Sequence, residues 1–502
     1  MSLPRIIYFV VLLSVVLFSA ACERQNQNAP DIIILQTGRI RGNVYPLDLQ
    51  DIAPLQHYPY LAAYIKKVRA EAKEVGAQVL LIDTGDSLEG SFAGFATGDR
   101  NMVTFFNSLD YDVVALGNLD HAIPSEILSE LKASVITPFT DFEGKPVPAG
   151  ARLAASIEKG DIPIKVLANF YGDTRPEDFP TRFPVFFGKN ATPSQPLRDY
   201  QSLEILAEKN KNELRLLSWM KFESPNEPPA DFLSQLRAAQ IDAILAHRIY
   251  PGKQVDAWNS QSNTELQNWS PPVTQNILRS NAGFAIARTD LKQVNNKWKF
   301  LNTQVLPMTA NTAEADQEII EKINTYKSEI AEANALIGIL PSPMEPHEIL
   351  KIYLQALTSI PNTNVVACSQ NSIRTDWPKG NLYSSTVFNS FPWTTPLVQL
   401  KLTPQELQKL LHKFPEITFW ERKEPATDET SNITLTSSNF YASLFLRTLG
   451  LPHDRLHILK EQPEFEFFAK FLTAALKQPD FGVPKNILTG WKDLNHQDGS
   501  KQ

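Results

Sequence analysis

The chain has 502 residues, 43% hydrophobic and 21% charged, with 48 basic side chains against 55 acidic ones and a formal net charge of −7. That length allows roughly two or three domains and ample core burial. The negative balance argues against a nucleic-acid partner, because phosphate-backbone binding needs a clustered basic patch.

Residues 6–21 (IIYFVVLLSVVLFSAA) are nearly all apolar and follow Arg5. The run is shorter than the ~20 apolar residues of a membrane-spanning helix. A cation, a short apolar run and small residues before a cleavage point describe a secretory signal. Ser19-Ala20-Ala21-Cys22 resembles a bacterial lipobox, with Ser19 where Leu is usual. The resemblance implies cleavage before Cys22 and lipid attachment there. Glu23 follows rather than Asp, which resembles the outer-membrane default of Gram-negative lipoproteins. The expected location is therefore the bacterial cell envelope, lipid-anchored, at the outer membrane and facing the periplasm or the surface. A plain signal peptide with an incidental cysteine stays open. Residues 22–30 are polar and read as a tether. Cys368, the second of two cysteines, is then left without a disulfide partner and reads as a small buried hydrophobe.

From residue 31 onward short apolar runs alternate with amphipathic stretches. Residues 31–35, 79–83 and 113–116 read as buried strands, and 58–75 and 101–109 as helices between them. That order predicts α/β layering. Residues 214–217 and 241–245 read as further strands flanking a helix at 232–240, while 144–196 carries no clear period. Over 312–336, Ile319, Ile320, Ile323, Tyr326, Ile330 and Ala333 recur at three- and four-residue spacing, which predicts one long helix capped by Thr312. Pro341-Ser342-Pro343 follows it, so this helix reads as a connector. The organisation expected is signal peptide 1–21, tether 22–30, N-terminal domain 31–310, connecting helix 311–337 and C-terminal domain 338–502.

Three loops share one design, an apolar strand followed by polar residues at its carboxyl end, where α/β folds place ligand chemistry. They are residues 36–42 (QTGRIRG), 83–87 (DTGDS) and 117–121 (GNLDH). With the runs LLIDTGDSLEG and FFNSLDYDVVALGN, they resemble the 5'-nucleotidase family of metallophosphoesterases, whose pattern is D-x-H-G, then G-D, then G-N-H-[DE]. Downstream, Asn371-Ser372-Ile373-Arg374 and Phe391-Pro392-Trp393 resemble that family's substrate-domain motifs. The resemblance covers residues 31 to about 445. It implies a four-layer α/β metallophosphoesterase-like N-terminal domain plus an α/β 5'-nucleotidase-type C-terminal domain, and hydrolysis of nucleotide phosphate esters with two divalent metals.

By the same resemblance, Asp86 stands for the metal-bridging Asp, Asn118 for the second-metal Asn, and His247 for a later metal His. Asn371, Arg374 and Trp393 stand for substrate-binding residues, with Trp393 in the base-stacking role. The remaining positions depart from the pattern. Arg39 and Arg41 occupy the places of the first-metal Asp and His. Leu119 occupies the place of the catalytic His, so no catalytic residue is assigned. Residues 257–277 contain no histidine, although the family's Gly-His-x-His motif is expected there. Guanidinium carries donors only and stays protonated, so it cannot ligate a cation. Two arginines instead put about +2 of charge where a divalent ion would sit, able to face Asp86, Asp120 or a phosphate.

Three functions stay open on the sequence. One is a weakly active or inactive lipoprotein that binds a nucleotide or another phosphorylated small molecule. The second is a phosphoesterase using one divalent metal on Asp86, Asn118 and His247. The third is a structural surface lipoprotein. The cofactor is accordingly one divalent ion or none.

Overall fold

A computed structural model describes residues 29–42, 58–88, 90–117, 120, 125–140, 145–146, 148–171, 195–196, 209–221, 236–250, 273–279, 285–308, 314–369, 372–373, 375–391, 396–422, 433–477 and 491–494. At 169–171, 195–196, 220–221, 246–250, 273–279, 307, 447, 453, 460–463 and 491–492 the description is of backbone alone.

The N-terminal half is built on two sheets. In the first, β1 (Ile32–Thr37), β2 (Gln78–Asp83), β3 (Val113–Ala115) and β4 (Ser134–Ile136) run parallel. β12 (Ala285–Val294) joins β1 antiparallel, and β13 (Lys297–Pro307) pairs with β12 beyond it. The second sheet runs β11 (Val273–Arg279), β10 (Ala243–Tyr250), β9 (Leu214–Lys221), β7 (Ile162–Tyr171), β6 (Ala154–Lys159), parallel except for the β6–β7 hairpin. The strand expected at 241–245 is longer than its apolar run. A two-residue pair, β5 (Phe139–Thr140) with β8 (Gln195–Pro196), stands apart.

The strand period of two sorts the core into two layers. Ile32, Ile34, Leu80, Ile82 and Val113 face the second sheet, where Val166, Leu216, Ala243 and Leu245 meet them. Ile33, Leu35, Leu81 and Val114 point the other way, into helices. One of these is α1 (Tyr58–Val75), whose Leu61, Ile65, Val68 and Ala72 form the buried stripe expected at helical spacing. Each large apolar side chain buried this way contributes about 1.5–3 kcal/mol. α2 (Phe92–Thr97), α3 (Arg100–Ser108) and α4 (Ser125–Ser129) follow in the β2–β3 and β3–β4 crossovers.

The single helix expected over 312–336 is two helices, α5 (Gln317–Asn324) and α6 (Lys327–Ala333), with residue 336 already in the next strand. Asp316 caps α5 by accepting from Ile319 N, while Thr312 lies outside the described residues. The cause of the break lies in packing. Ile319 and Ile323 bury into the N-terminal core but Ile330 buries into the C-terminal one, so one straight stripe cannot serve both. At the break, Tyr326 Oη bonds Thr104 Oγ1 at 2.7 Å and donates to Arg100 O at 3.1 Å.

The C-terminal half opens with β14 (Leu336–Leu340), paired with β16 (Gly380–Tyr383), and α7 (Pro346–Thr358). Its main sheet has the order β20 (Leu456–Pro463), β17 (Pro396–Leu402), β19 (Ile433–Ser438), β15 (Val365–Ser369), β18 (Ile417–Arg422), β21 (Trp491–Asp493). α8 (Ser384–Ser390), α9 (Pro404–Lys413), α10 (Asn439–Leu449) and α11 (Glu464–Ala475) complete it. The two halves meet through aromatic rings. Phe95 of α2 packs edge-on against Phe465 of α11 at 4.8 Å, and Phe388 of α8 lies 5.0 Å from Phe465 and 5.9 Å from Phe92.

Candidate phosphate site

The β1–β2 register places Thr37 opposite Asp83, and β3 continues that alignment with Val114 opposite Asp83. The loops after β1, β2 and β3 therefore leave the sheet side by side. Main-chain bonds fasten the first two together. Arg39 N–H donates to Gly85 O at 2.7 Å, Arg41 N–H to Asp86 O at 3.2 Å, and Gly42 N–H to Ser87 O at 2.9 Å. Arg39, Arg41 and Asp86 all take left-handed backbone, with φ of 55°, 54° and 55°. For residues with a Cβ that conformation costs of order 1–3 kcal/mol each, and such strain gathers at functional sites. Both arginines are half-buried and Asp86 is buried.

Asp83 is the floor of the site, and its part is one that motif reading alone does not reveal. Its carboxyl accepts from Thr37 Oγ1 at 2.7 Å, Ser87 Oγ at 2.9 Å and Gly85 N at 2.9 Å. Ser87 Oγ also accepts from Ile40 N at 3.0 Å, so one hydroxyl links the arginine loop to the acid. Because the Thr37 proton goes to Asp83, Tyr111 Oη donates to Thr37 Oγ1 at 3.0 Å. Burial raises the Asp83 pKa to about 7 against the pull of its three hydrogen bonds, with Asp120 adding repulsion. A sequence signal did exist: an acid ending the apolar run Val79–Asp83.

Asp120 is fully buried and accepts two backbone amides, Leu88 N at 3.0 Å and Gly117 N at 2.7 Å. Its environment thus includes main-chain donors that the sequence did not point to, in addition to any role for the arginines. Asp86 packs against Gly117 so closely that a Cβ at 117 would stand 1.9 Å from Asp86 Oδ1. Glycine is required there for the second and third loops to touch. A further buried acid, Asp99, caps α3 without a side-chain cap bond, and its Oδ1 has no hydrogen-bond partner. Burial, then Asp120, raise its pKa to about 7. No sequence pattern marks it.

Of the residues expected to act here, the fold brings together Arg39, Arg41, Asp86 and Asp120. Asn118 and Leu119 lie outside the described residues. His247 is the fifth residue of β10, within the strand rather than after it, opposite Asn276 of β11, and its side chain is outside the description. Asn371, Arg374 and Trp393 also lie outside, as does Cys22. Their flanks are fixed, however. Ser372 Oγ bonds Tyr441 Oη at 2.6 Å, and Thr375 Oγ1 bonds Ser390 Oγ at 2.9 Å. Ser390 also accepts from Trp377 Nε1 at 2.7 Å, tying the stretch before position 393 to the one after position 374. Cys368 is buried as expected, and burial pushes its thiol pKa up.

The fold matches solved structures across nearly the whole chain. A 5'-nucleotidase precursor from Thermus thermophilus superimposes with a TM-score of 0.62 at 14% identity, over 88% of this chain and 96% of that one. The chain has the two-domain 5'-nucleotidase fold. A 5'-nucleotidase from Candida albicans gives a TM-score of 0.58 at 10% identity, covering 89% and 98%. The Thermus thermophilus sulfate thiohydrolase SoxB, in complex with glycerol, gives 0.56 at 13% identity, covering 89% and 94%. No protein-family model matches the chain, and no curated protein matches it in sequence.

A 5'-nucleotidase-type two-metal centre does not fit the described part of this site. The positions flanking Ile40 carry guanidinium, which only donates. Of the metal-ligand positions assigned by resemblance, only Asp86 has a described side chain. Among the described residues no group of three or more His, Cys, Asp or Glu is disposed to hold a metal ion.

Proposed function

We propose that the protein binds a phosphate-bearing small molecule, a nucleotide in the first instance, and that it hydrolyses it weakly or not at all. The observation that carries this reading is the arginine loop. Three main-chain bonds and two left-handed arginines fix Arg39 and Arg41 beside Asp86 at the carboxyl ends of β1 and β2. Guanidinium groups carried on a loop fastened in this way are suited to bidentate phosphate recognition. They supply positive charge where a metal would otherwise be needed, but they cannot lower the pKa of a bound water as a metal does. The 5'-nucleotidase fold supports a nucleotide as the ligand class, with Asn371, Arg374 and Trp393 on the C-terminal half as its proposed base-side contacts.

Cys22 is the proposed lipid attachment, placing the protein in the bacterial envelope. Among the described residues no helix is long and apolar enough to cross a membrane.

The test is thermal stabilisation by AMP in the presence of EDTA, with adenosine as control. A ligand that binds the native state alone raises its apparent stability, by about 2.7 kcal/mol at a hundred times its Kd. Stabilisation by AMP but not by adenosine supports the reading. Stabilisation that requires manganese, with phosphate release, supports instead a reduced-site hydrolase on Asp86, Asn118 and His247. No stabilisation by AMP under either condition leaves the structural-lipoprotein reading.

A further inference from the structure

At the start of α11 a carboxylic acid is sealed in the C-terminal core. Glu464 is 1% exposed. Its Oε1 accepts a hydrogen bond from the Tyr353 hydroxyl of α7, and its Oε2 has no hydrogen-bond partner. The titratable groups that face it are Tyr353 from α7, Cys368 from β15 and Tyr441 from α10. All three are neutral, and no cation among the described residues is paired with it. On α11 itself Glu466 is half-buried and Lys470 exposed.

The residues next to Glu464 hold two packing interfaces. Phe465 makes the 4.8 Å edge contact with Phe95 of the N-terminal half and the 5.0 Å contact with Phe388. Phe468, one turn on, packs against Tyr353 at 5.2 Å, Phe391 at 5.2 Å and Trp377 at 6.0 Å. The first turn of α11 thus carries both the buried acid and the ring that joins the halves.

We propose that the protonated Glu464 carboxyl is a latch: while it holds its proton, α11 keeps Phe465 in the aromatic junction, and its ionisation draws the first turn of α11 out of the core and opens that junction. An ionised carboxylate in this place would leave one oxygen without a donor in an apolar enclosure, which is costly. The helix N-terminus favours the anion, but by only ~0.3–1 kcal/mol. Burial places the pKa at about 7, against an ordinary 4.5. The stabilisation is therefore complete below about pH 4.5 and is lost as the pH rises through about 7.

The experiment is amide hydrogen exchange on the full chain between about pH 5 and pH 9, corrected for intrinsic rates, following 92–97, 464–468 and the core strand 365–369. The expected result is that protection at 92–97 and 464–468 falls together with rising pH while 365–369 stays protected. In Glu464→Gln, which cannot ionise, protection at both segments is expected to persist at high pH. Tyr353→Phe serves as a second variant should the first fail to fold. The phenol donor stabilises the carboxylate, so its removal is expected to move the midpoint to higher pH. The proposal is overturned if 92–97 keeps its protection throughout, if 365–369 opens with the same midpoint, or if neither variant alters the transition. None of these outcomes depends on what the arginine loop binds.

Discussion

Asp99→Asn is expected to stabilise the protein at high pH and to leave it unchanged in acid. Asp99 is 9% exposed, its Oδ1 has no hydrogen-bond partner, and it makes no cap bond that an amide would lose. Burial, helped by the nearby Asp120, raises its pKa from 3.8 to about 7. A raised acid favours the folded state while it is protonated, so the benefit is complete below about pH 3.8 and disappears as the pH passes about 7. Three pKa units correspond to about 4 kcal/mol, and relaxation around the buried charge brings the expected effect to about 2–4 kcal/mol. For a module of this size 1 kcal/mol moves Tm by about 2 °C, so the gain at about pH 8.5 should be ~4–8 °C. Asn and Asp both tolerate the left-handed backbone at this position, so that contribution cancels and the shift in acid stays near zero. The assay is the Tm difference between variant and parent at about pH 4 and about pH 8.5. An equal shift at both, or a loss at the higher pH, would refute the reasoning.

Gly117→Ala is expected to destabilise by at least the ~1–3 kcal/mol typical of overpacking, because the new Cβ would meet Asp86 Oδ1 at 1.9 Å and Asp86 N at 2.4 Å. An unchanged urea midpoint would mean that the second and third loops do not touch as described. The double variant Arg39→Gly, Arg41→Gly should separate binding from stability. Glycine relieves two left-handed positions, which offsets part of the stability lost with the cations beside Asp86, while AMP binding measured by titration calorimetry should weaken more than tenfold. Full AMP affinity in that variant would remove the arginines from the site.

Where hydrophobic period decides structure, the sequence was legible. The 58–75 helix and the strands at 31–35 and 79–83 lie where their apolar residues put them, because one face of each must be buried. The break between α5 and α6 was not legible, since Ile323 and Ile330 share one helical stripe on paper and enter different cores in space. The arginine substitutions could be read directly from loop position. The enclosure of the acids could not, because it is a tertiary property. Asp83 gave a faint sign by ending an apolar run. Asp99 and Glu464 look like ordinary surface acids until the fold closes over them.

The central claim is that two arginines stand where a metal centre would otherwise be. Metal content per chain, measured after incubation of the purified protein with manganese, zinc and calcium and removal of unbound ions, tests it most directly. No stoichiometric ion is expected. One tightly held ion would favour the reduced site on Asp86, Asn118 and His247, and two would contradict the replacement outright.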